Sequence, residues 1–435
     1  MNYKNIISKI SKLYTKKLLF RLFLIDLSHN IIFLLFKNHT YQSSGSINQM
    51  AWKRFKKNKT AFCSLIFIAI TAFISILGYW ITPDSTPMVN EQNVLLATLK
   101  PGTKIKVLKI TKNQHIQKHT IFYKMLWGQE NKYKIIPFSS YNMSADSVKI
   151  IEYKTGQPLA FHLLDIAYAL NENADIQTKN NKYIFIDNSN NRITIEKNKV
   201  LSKVQDNISA KRFILGTDRY GRDVLSQLII GARISLSVGF ISVFISLLIG
   251  ILLGALAGYY GGKTDAFISW IINVIWAVPT LLLVIAVTFA LGKGFWQIFI
   301  AVGLTMWVEV ARVVRGQFMS LREKEFVEAA KALGYKPLRI IFKHILPNAM
   351  AAVIVISAAN FASAILLEAG LSFLGVGVQP PMPSWGGMVK ENYPYIILDY
   401  GYLAFLPGIA IMLMVLAFML VGNGLRDALD VKTID

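Results

Sequence analysis

The chain has 435 residues, 53% of them hydrophobic, and carries a formal net charge of +22 at a mean hydropathy of +0.42. Soluble domains are less apolar, and here the apolar residues are gathered into long runs, which excludes a soluble globular protein. The positive charge is therefore read as setting orientation in a membrane, through Lys and Arg on the cytoplasmic side, and not as a nucleic-acid surface.

Residues 1–49 are Lys-rich, and their apolar runs Leu18–Phe20, Leu22–Ile25 and Ile31–Phe36 are interrupted by Arg21, Asp26 and His29. These interruptions argue against a span. The segment is read as an interfacial amphipathic helix, as a weakly ordered tail, or as sequence preceding a true start at Met50. It has no signal-peptide pattern.

Apolar runs long enough to cross a bilayer, about 20 residues each, lie near 60–82, 234–259, 267–291, 296–314, 348–370 and 403–421. These six runs predict an all-α polytopic membrane protein. Lys53, Arg54, Lys56, Lys57 and Lys59 precede the first span and place it N-terminus inside; six spans then return the C-terminus to the cytoplasm. Cys63, within the first span, is the single cysteine, so there is no intrachain disulfide and no cysteine metal site.

Residues 83–210 form a polar insertion after the first span, extracytoplasmic by the same count. It is read as a small α+β domain or a partly disordered loop. Tyr183–Asp187 and Arg192–Glu196 alternate around an Asn-rich turn and predict a hairpin; Phe161–Leu170 suits a short helix. Residues 211–232 are a lead-in punctuated by Gly216, Gly221 and Gly231. There Asp218, Arg219, Arg222 and Asp223 suggest an ion-pair network fixing the entry of the second span.

In the second span Gly250, Gly254, Gly258 and Gly262 recur every fourth residue, a face on which another helix can approach closely. This face is read as packing, as a surface that slides during gating, or as both. Ala257–Thr264 nearly matches G-x-x-x-x-G-K-[ST], but Ala257 stands at the first glycine and the segment follows a membrane helix, not a strand. It is read as a turn, and the chain as having no nucleotide site of its own. Pro279 in the third span predicts a kink, static or a gating hinge.

At the inner end of the fourth span Glu309, Arg312 and Arg315 share one side, with Glu309 and Arg312 spaced to pair. They are read as an anchor at the helix end in preference to a substrate contact. Segment 317–347 then reads as helix, turn, helix. Arg322–Leu333 are good helix formers, with Ala329 and Ala330 on a face that could be gripped. Gly334 supplies the positive φ that ends the helix, Pro337 starts the next, and Pro347 is expected to break the pattern.

Beyond this segment Glu368 is a weak candidate for a pathway, and Asn273 and Asn360 for helix-packing hydrogen bonds. The Pro- and Gly-rich stretch 371–388 is expected to be non-helical and re-entrant at the outer mouth. None of His29, His39, His115, His119, His162 and His344 lies in a span, nor does any Asp pair. That argues against an intramembrane enzyme.

Several of these segments together resemble a known family. Glu328-Ala329-Ala330 with Gly334 and Leu346-Pro347 is similar to the cytoplasmic loop signature of bacterial ABC importer permeases. Leu215–Leu225, Gly231–Leu236, His344–Asn348 and Ser372–Gly386 resemble the dipeptide, oligopeptide and nickel group, and within it the second, "C"-type permease. The similarity runs through roughly 211–430, plus Trp52–Trp80; segments 1–49 and 83–210 depart from it.

The resemblance implies a type I ABC importer fold in the bacterial plasma (inner) membrane. Its expected parts are a cytoplasmic segment (1–59), the first span (60–82), the insertion (83–210), the lead-in (211–232), a five-helix permease domain (233–424) with a coupling loop (317–347), and a cytoplasmic tail (425–435). It further implies that Glu328, Ala329, Ala330 and Gly334 contact an ATPase, and that Gly250, Gly254, Gly258 and Pro279 serve packing or gating. Expected partners are a homologous permease forming a heterodimer, two ATPase subunits holding ATP and magnesium, and an extracytoplasmic solute-binding protein; this chain binds no cofactor or metal. Peptides are the favoured cargo, with nickel complexes or other solutes open. The competing reading is a membrane-anchored scaffold acting through 83–210.

Overall fold

The computed structural model describes residues 47–429 except 115, 118, 172–175, 180 and 293; the expectations for 1–46 lie outside the described residues. The chain divides into two units, Met1–Met50 and Ala51–Asp435. The second holds the β insertion and, among the described residues, every helix of spanning length.

Helix α1 (Ile47–Lys57) passes through Asn58 into α2 (Lys59–Ile76), and the Asn58 side chain caps α2 by accepting from the Ala61 amide at 3.2 Å. A short α3 (Gly78–Ile81) follows. Ile66, Ile70 and Phe73 of α2 are exposed, as suits a helix whose solvent is lipid. Phe55 and Ala61 instead pack against Val421 and Ala428 near the C-terminus.

The insertion is an ordered α+β unit. Its elements are β1 (Lys104–Thr111), α4 (Ile121–Trp127), β2 (Tyr133–Met143), β3 (Ser147–Glu152), β4 (Pro158–His162) and α5 (Leu163–Ala167), followed by β5 (Gln177–Lys179), β6 (Lys182–Ile186), β7 (Arg192–Glu196), α6 (Lys197–Asn207) and β8 (Ile208–Arg212). A five-stranded sheet has the order β4-β3-β2-β1-β8, and a three-stranded sheet the order β5-β6-β7. All pairings are antiparallel. Alternation puts Val148, Ile150, Tyr183 and Phe185 into a core with Leu163, Leu164, Val200 and Val204. The expected hairpin forms between β6 and β7. The expected helix over 161–170 shrinks to α5, because Phe161 and His162 pair with Val148 and Ser147 in the sheet. First and last strands β1 and β8 are neighbours, so the chain leaves the insertion beside where it entered.

The membrane part comprises α7 (Val224–Tyr260), α8 (Gly262–Trp276), α9 (Thr280–Leu291), α10 (Phe295–Leu321), α11 (Glu325–Ala332), α12 (Pro337–Arg339), α13 (Leu346–Phe373), α14 (Trp385–Asn392) and α15 (Tyr402–Leu429). Among the described residues five helices are long and apolar enough to cross a bilayer, and six candidates result if α8 and α9 count as one bent span. Phe240, Leu248 and Leu252 of α7 and Phe267 and Trp270 of α8 are exposed, again a lipid-facing pattern.

Several expectations are corrected here. Pro279 does more than kink a span: α8 and α9 diverge by 93° across it. Pro347 does not interrupt its helix, since Pro337–Phe373 is continuous over 37 residues. The turn before it, Ile340–Ile345, is π-helical, with the Leu346 amide bonded to Ile341 O. The wider turn makes room where a proline ring would meet the carbonyl four residues back. Within 371–388, residues 371–373 finish α13 and 385–388 begin α14. Gly262 lies beyond the end of α7, so the close-approach face is Gly250, Gly254 and Gly258.

Candidate functional site

Helix α11 sits at the end of α10 and presents two unlike faces. Its first turn carries Glu325 and Glu328 and its last turn Lys331, each placed favourably for the helix dipole. Val327 and Ala330 point inward and are buried against Val310, Val314 and Phe318 of α10. Ile340, Ile341 and Ile345 of the π turn, Ala349 and Val353 of α13, and Ala255 of α7 complete that cluster. Helix α11 thus shares one close-packed cluster with α7, α10 and α13.

The outer face holds Glu325, Phe326, Glu328 and Ala329, all exposed. Ala329 is thus free to be gripped, but Ala330, 3% exposed, faces inward. Sequence reading missed Val327, although Val327 and Ala330, three apart between charged residues, are the signal of an inner stripe.

The corner is built as expected. Gly334 has φ +74°, its amide donates to Lys331 O at 2.9 Å, and the Tyr335 amide reaches back to Ala330 O at 3.2 Å. This pair of bonds is a Schellman closure. Tyr335 stacks on His344 with centroids 5.6 Å apart, and the Arg339 guanidinium lies 4.2 Å from the centroid of the Tyr335 ring. Leu333 and Leu338 flank the corner at 70% and 61% exposure.

The close-approach face lies against α10. A Cβ built on Gly250, Gly254 or Gly258 would come within 2.5 Å of Val310 Cβ, Ala311 O or Phe318 Cβ respectively. Gly303 of α10 answers from the other side, where a Cβ would meet Ile245 Cβ at 2.7 Å.

The charged groups of the inner end are arranged differently from expectation. Arg315 pairs with Asp265 of α8, its second contact at 2.7 Å, and Arg312 lies 3.5 Å over the Trp276 ring. Arg312 thus does not pair with Glu309. Glu309 lines a cavity of about 500 Å³ with Trp276, Thr280, Thr305 and Ser363.

Farther out, Glu368 is fully buried and accepts from Ser235 at 3.1 Å and Ser372 at 2.8 Å. It ties α7 to α13 and does not line an open path. Asn360 is also fully buried, with neither side-chain polar atom bonded among the described residues, contrary to the hydrogen bond expected. Asn273 is exposed.

In the lead-in Arg222 bonds Asp218 and Glu391, both at 2.6 Å. Burial pulls the Arg222 pKa down, but the two carboxylates outweigh it and hold the guanidinium above its ordinary value. Asp223 acts instead as the α7 cap, accepting from the Ser226 amide at 2.8 Å. Arg219 lies over Tyr220 at 4.5 Å. Among the described residues no group of three or more His, Cys, Asp or Glu is placed to hold a metal ion.

Residues 250–435 match the family described as binding-protein-dependent transport system inner membrane component. Residues 46–101 match the N-terminal TM domain of oligopeptide transport permease C. The dipeptide transport system permease protein DppC of Alkalihalophilus pseudofirmus is 46% identical over 217 residues, 50% of this chain and 71% of that protein. This chain belongs to that permease family. The oligopeptide transport system permease protein OppC of Bacillus subtilis is 42% identical to the permease over 52% of this chain and 74% of the relative. Among solved structures, a MetNI methionine ABC transporter in an inward-facing conformation aligns with 47% of the permease and 96% of its own chain, at 20% identity and TM-score 0.39. The two family matches leave 102–249 of the permease uncovered, the stretch that contains the β insertion.

Proposed function

We propose that this permease forms half of the translocation pathway of an ATP-driven importer of di- or oligopeptides, and that α11 with the Gly334 corner receives the work of separate ATPase subunits. The observation that carries the reading is the division of α11 into an exposed face and a face locked to three long helices through Val327 and Ala330. A partner that pushes on Glu328 and Ala329 moves the bundle, not a loose loop. The peptide cargo is supported by relatives named as dipeptide and oligopeptide permeases.

The rest of the assembly follows from the same reading. A homologous permease supplies the other half of the pathway, two ATPase subunits bind ATP and magnesium, and an extracytoplasmic binding protein delivers cargo. In this reading the bent α8–α9 pair is one span of six, both termini are cytoplasmic, and α11 lies on the ATPase side. The basic residues of 53–59 support that orientation. A scaffold acting through 83–210 would leave the two-faced α11 without a purpose.

The test is transport by the assembled importer in proteoliposomes. Glu328→Lys and Gly334→Asp are expected to abolish peptide uptake while the complex stays in the membrane and continues to hydrolyse ATP. Normal uptake by both variants would overturn the coupling role.

A further inference from the structure

Helix α4 belongs to the insertion, yet it has the composition of a membrane surface. Ile121, Phe122, Tyr123, Leu126 and Trp127 are all exposed, Phe122 at 75% and Trp127 at 61%. The helix contributes a single charge, Lys124.

The position of α4 is fixed by Arg233 of α7. That guanidinium donates to Leu126 O at 2.6 Å and Met125 O at 3.1 Å, at the end of α4. It also donates to Ile76 O at 2.8 Å and Ser75 O at 3.1 Å, at the end of α2. One cation thus closes the C-termini of two helices, where unpaired carbonyls and the negative dipole end attract it. Because Arg233 lies within one helix of spanning length and grips the end of another, α4 is held at the outer rim of the bundle.

The apolar belt of the spans continues around it. Ile76, Trp80, Ile81 and Trp296 are exposed beside the same rim. Trp127 and Leu126 share the wall of a cavity of about 820 Å³ with Tyr79, Ile234 and Trp296. Tryptophan and tyrosine gather where a bilayer meets water, and a short apolar-faced helix lies in that plane.

We propose that α4 is an in-plane helix embedded in the outer phospholipid interface, and that it fastens the insertion to the membrane surface. The occupant of its bare face is lipid, because that face is continuous with the lipid-facing belt of the spans.

The experiment uses the full-length permease in its assembled importer, placed in phosphatidylethanolamine–phosphatidylglycerol nanodiscs. On a Cys63→Ala background, spin labels are attached at Phe122→Cys and, separately, Trp127→Cys. Leu252→Cys, exposed on a span, gives the lipid reference, and Lys149→Cys, exposed on β3, the water reference. The expected result is accessibility to oxygen and loss of accessibility to a nickel chelate, matching position 252. Chelate accessibility like that of position 149 would overturn the proposal. So would labels closed to both reagents, which would mean a protein covers the helix. An unlabelled check is quenching of tryptophan emission by brominated lipid, which should fall in Trp127→Phe; unchanged quenching also counts against the proposal.

Discussion

A methyl group added at residue 254 has nowhere to go. Its carbon would lie 2.5 Å from Ala311 O, which is backbone and cannot swing aside. Gly254→Ala is therefore expected to destabilise the complex by about 1–3 kcal/mol, the usual range for overpacking, seen as a lower melting temperature in detergent. Gly408→Ala, where nothing lies within 4 Å, should leave the melting temperature unchanged or slightly raised. Arg222→Ala is the harsher change, since it strands the Asp218 and Glu391 carboxylates; removing one partner of a buried pair costs about 3–5 kcal/mol. The glycine stripe was legible because its spacing follows helix periodicity, and it failed at Gly262 because Gly261, at φ +67°, ends the helix first. The partners of Arg315 and Arg312 were not legible, because Asp265 and Trp276 lie on a different helix and only the fold brings them near.

At the scale of elements, α11 has one buried and one exposed face, and substitutions on the two should act differently. Val327→Asp places a charge in the cluster that joins α11 to α10 and α13, and should lower both the amount of folded permease and uptake. Glu328→Lys should lower uptake alone; protein yield measured beside transport separates the two. The insertion offers a second handle. Asp146 accepts from Lys197 at 2.7 Å and Tyr183 at 2.5 Å, linking the start of β3 to α6 and β6. The Lys197 and Tyr183 hydrogen bonds hold its pKa below the ordinary 3.8. A depressed carboxylate stabilises fully above its unfolded pKa and loses that contribution as pH falls through the folded value. Protection of the β6 amides, corrected for the intrinsic pH dependence of exchange, should accordingly fall below pH 3.8 and be unchanged around neutrality, whereas Asp146→Asn should show the lower protection throughout that range. The helix-turn-helix was readable from Gly334 and Pro337 because their backbone preferences are local. The fate of Pro347 was not, since the π turn that admits it depends on how Ile340, Ile341 and Ile345 pack.

At the scale of the molecule, the orientation inferred from basic residues makes a direct prediction. On the Cys63→Ala background, a cysteine at Lys149 should react with a membrane-impermeant maleimide added outside intact cells, and one at Lys336 only after permeabilisation. The reverse pattern would invert the topology. Apolar runs announced nearly every long helix, because crossing a bilayer requires about 20 such residues. They could not announce the 93° divergence of α8 and α9, because composition fixes length and not direction. The insertion was legible as an ordered domain only in its hairpin; its five-stranded sheet depends on pairing β1 with β8, about a hundred residues apart.

The Arg233 clamp also bears on how the protein is made. Ser75 O and Ile76 O at the end of the first span receive their cation from a residue 157 to 158 positions later. While the ribosome is still translating the insertion, those carbonyls lack that partner. The carbonyl cap of the first span is therefore completed only when α7 has been made, and α4 shares the same side chain. Closure of the first span, placement of α4 and docking of α7 thus all depend on one side chain. A pause or truncation between them would leave the first helix in the bilayer with its outer end unclosed.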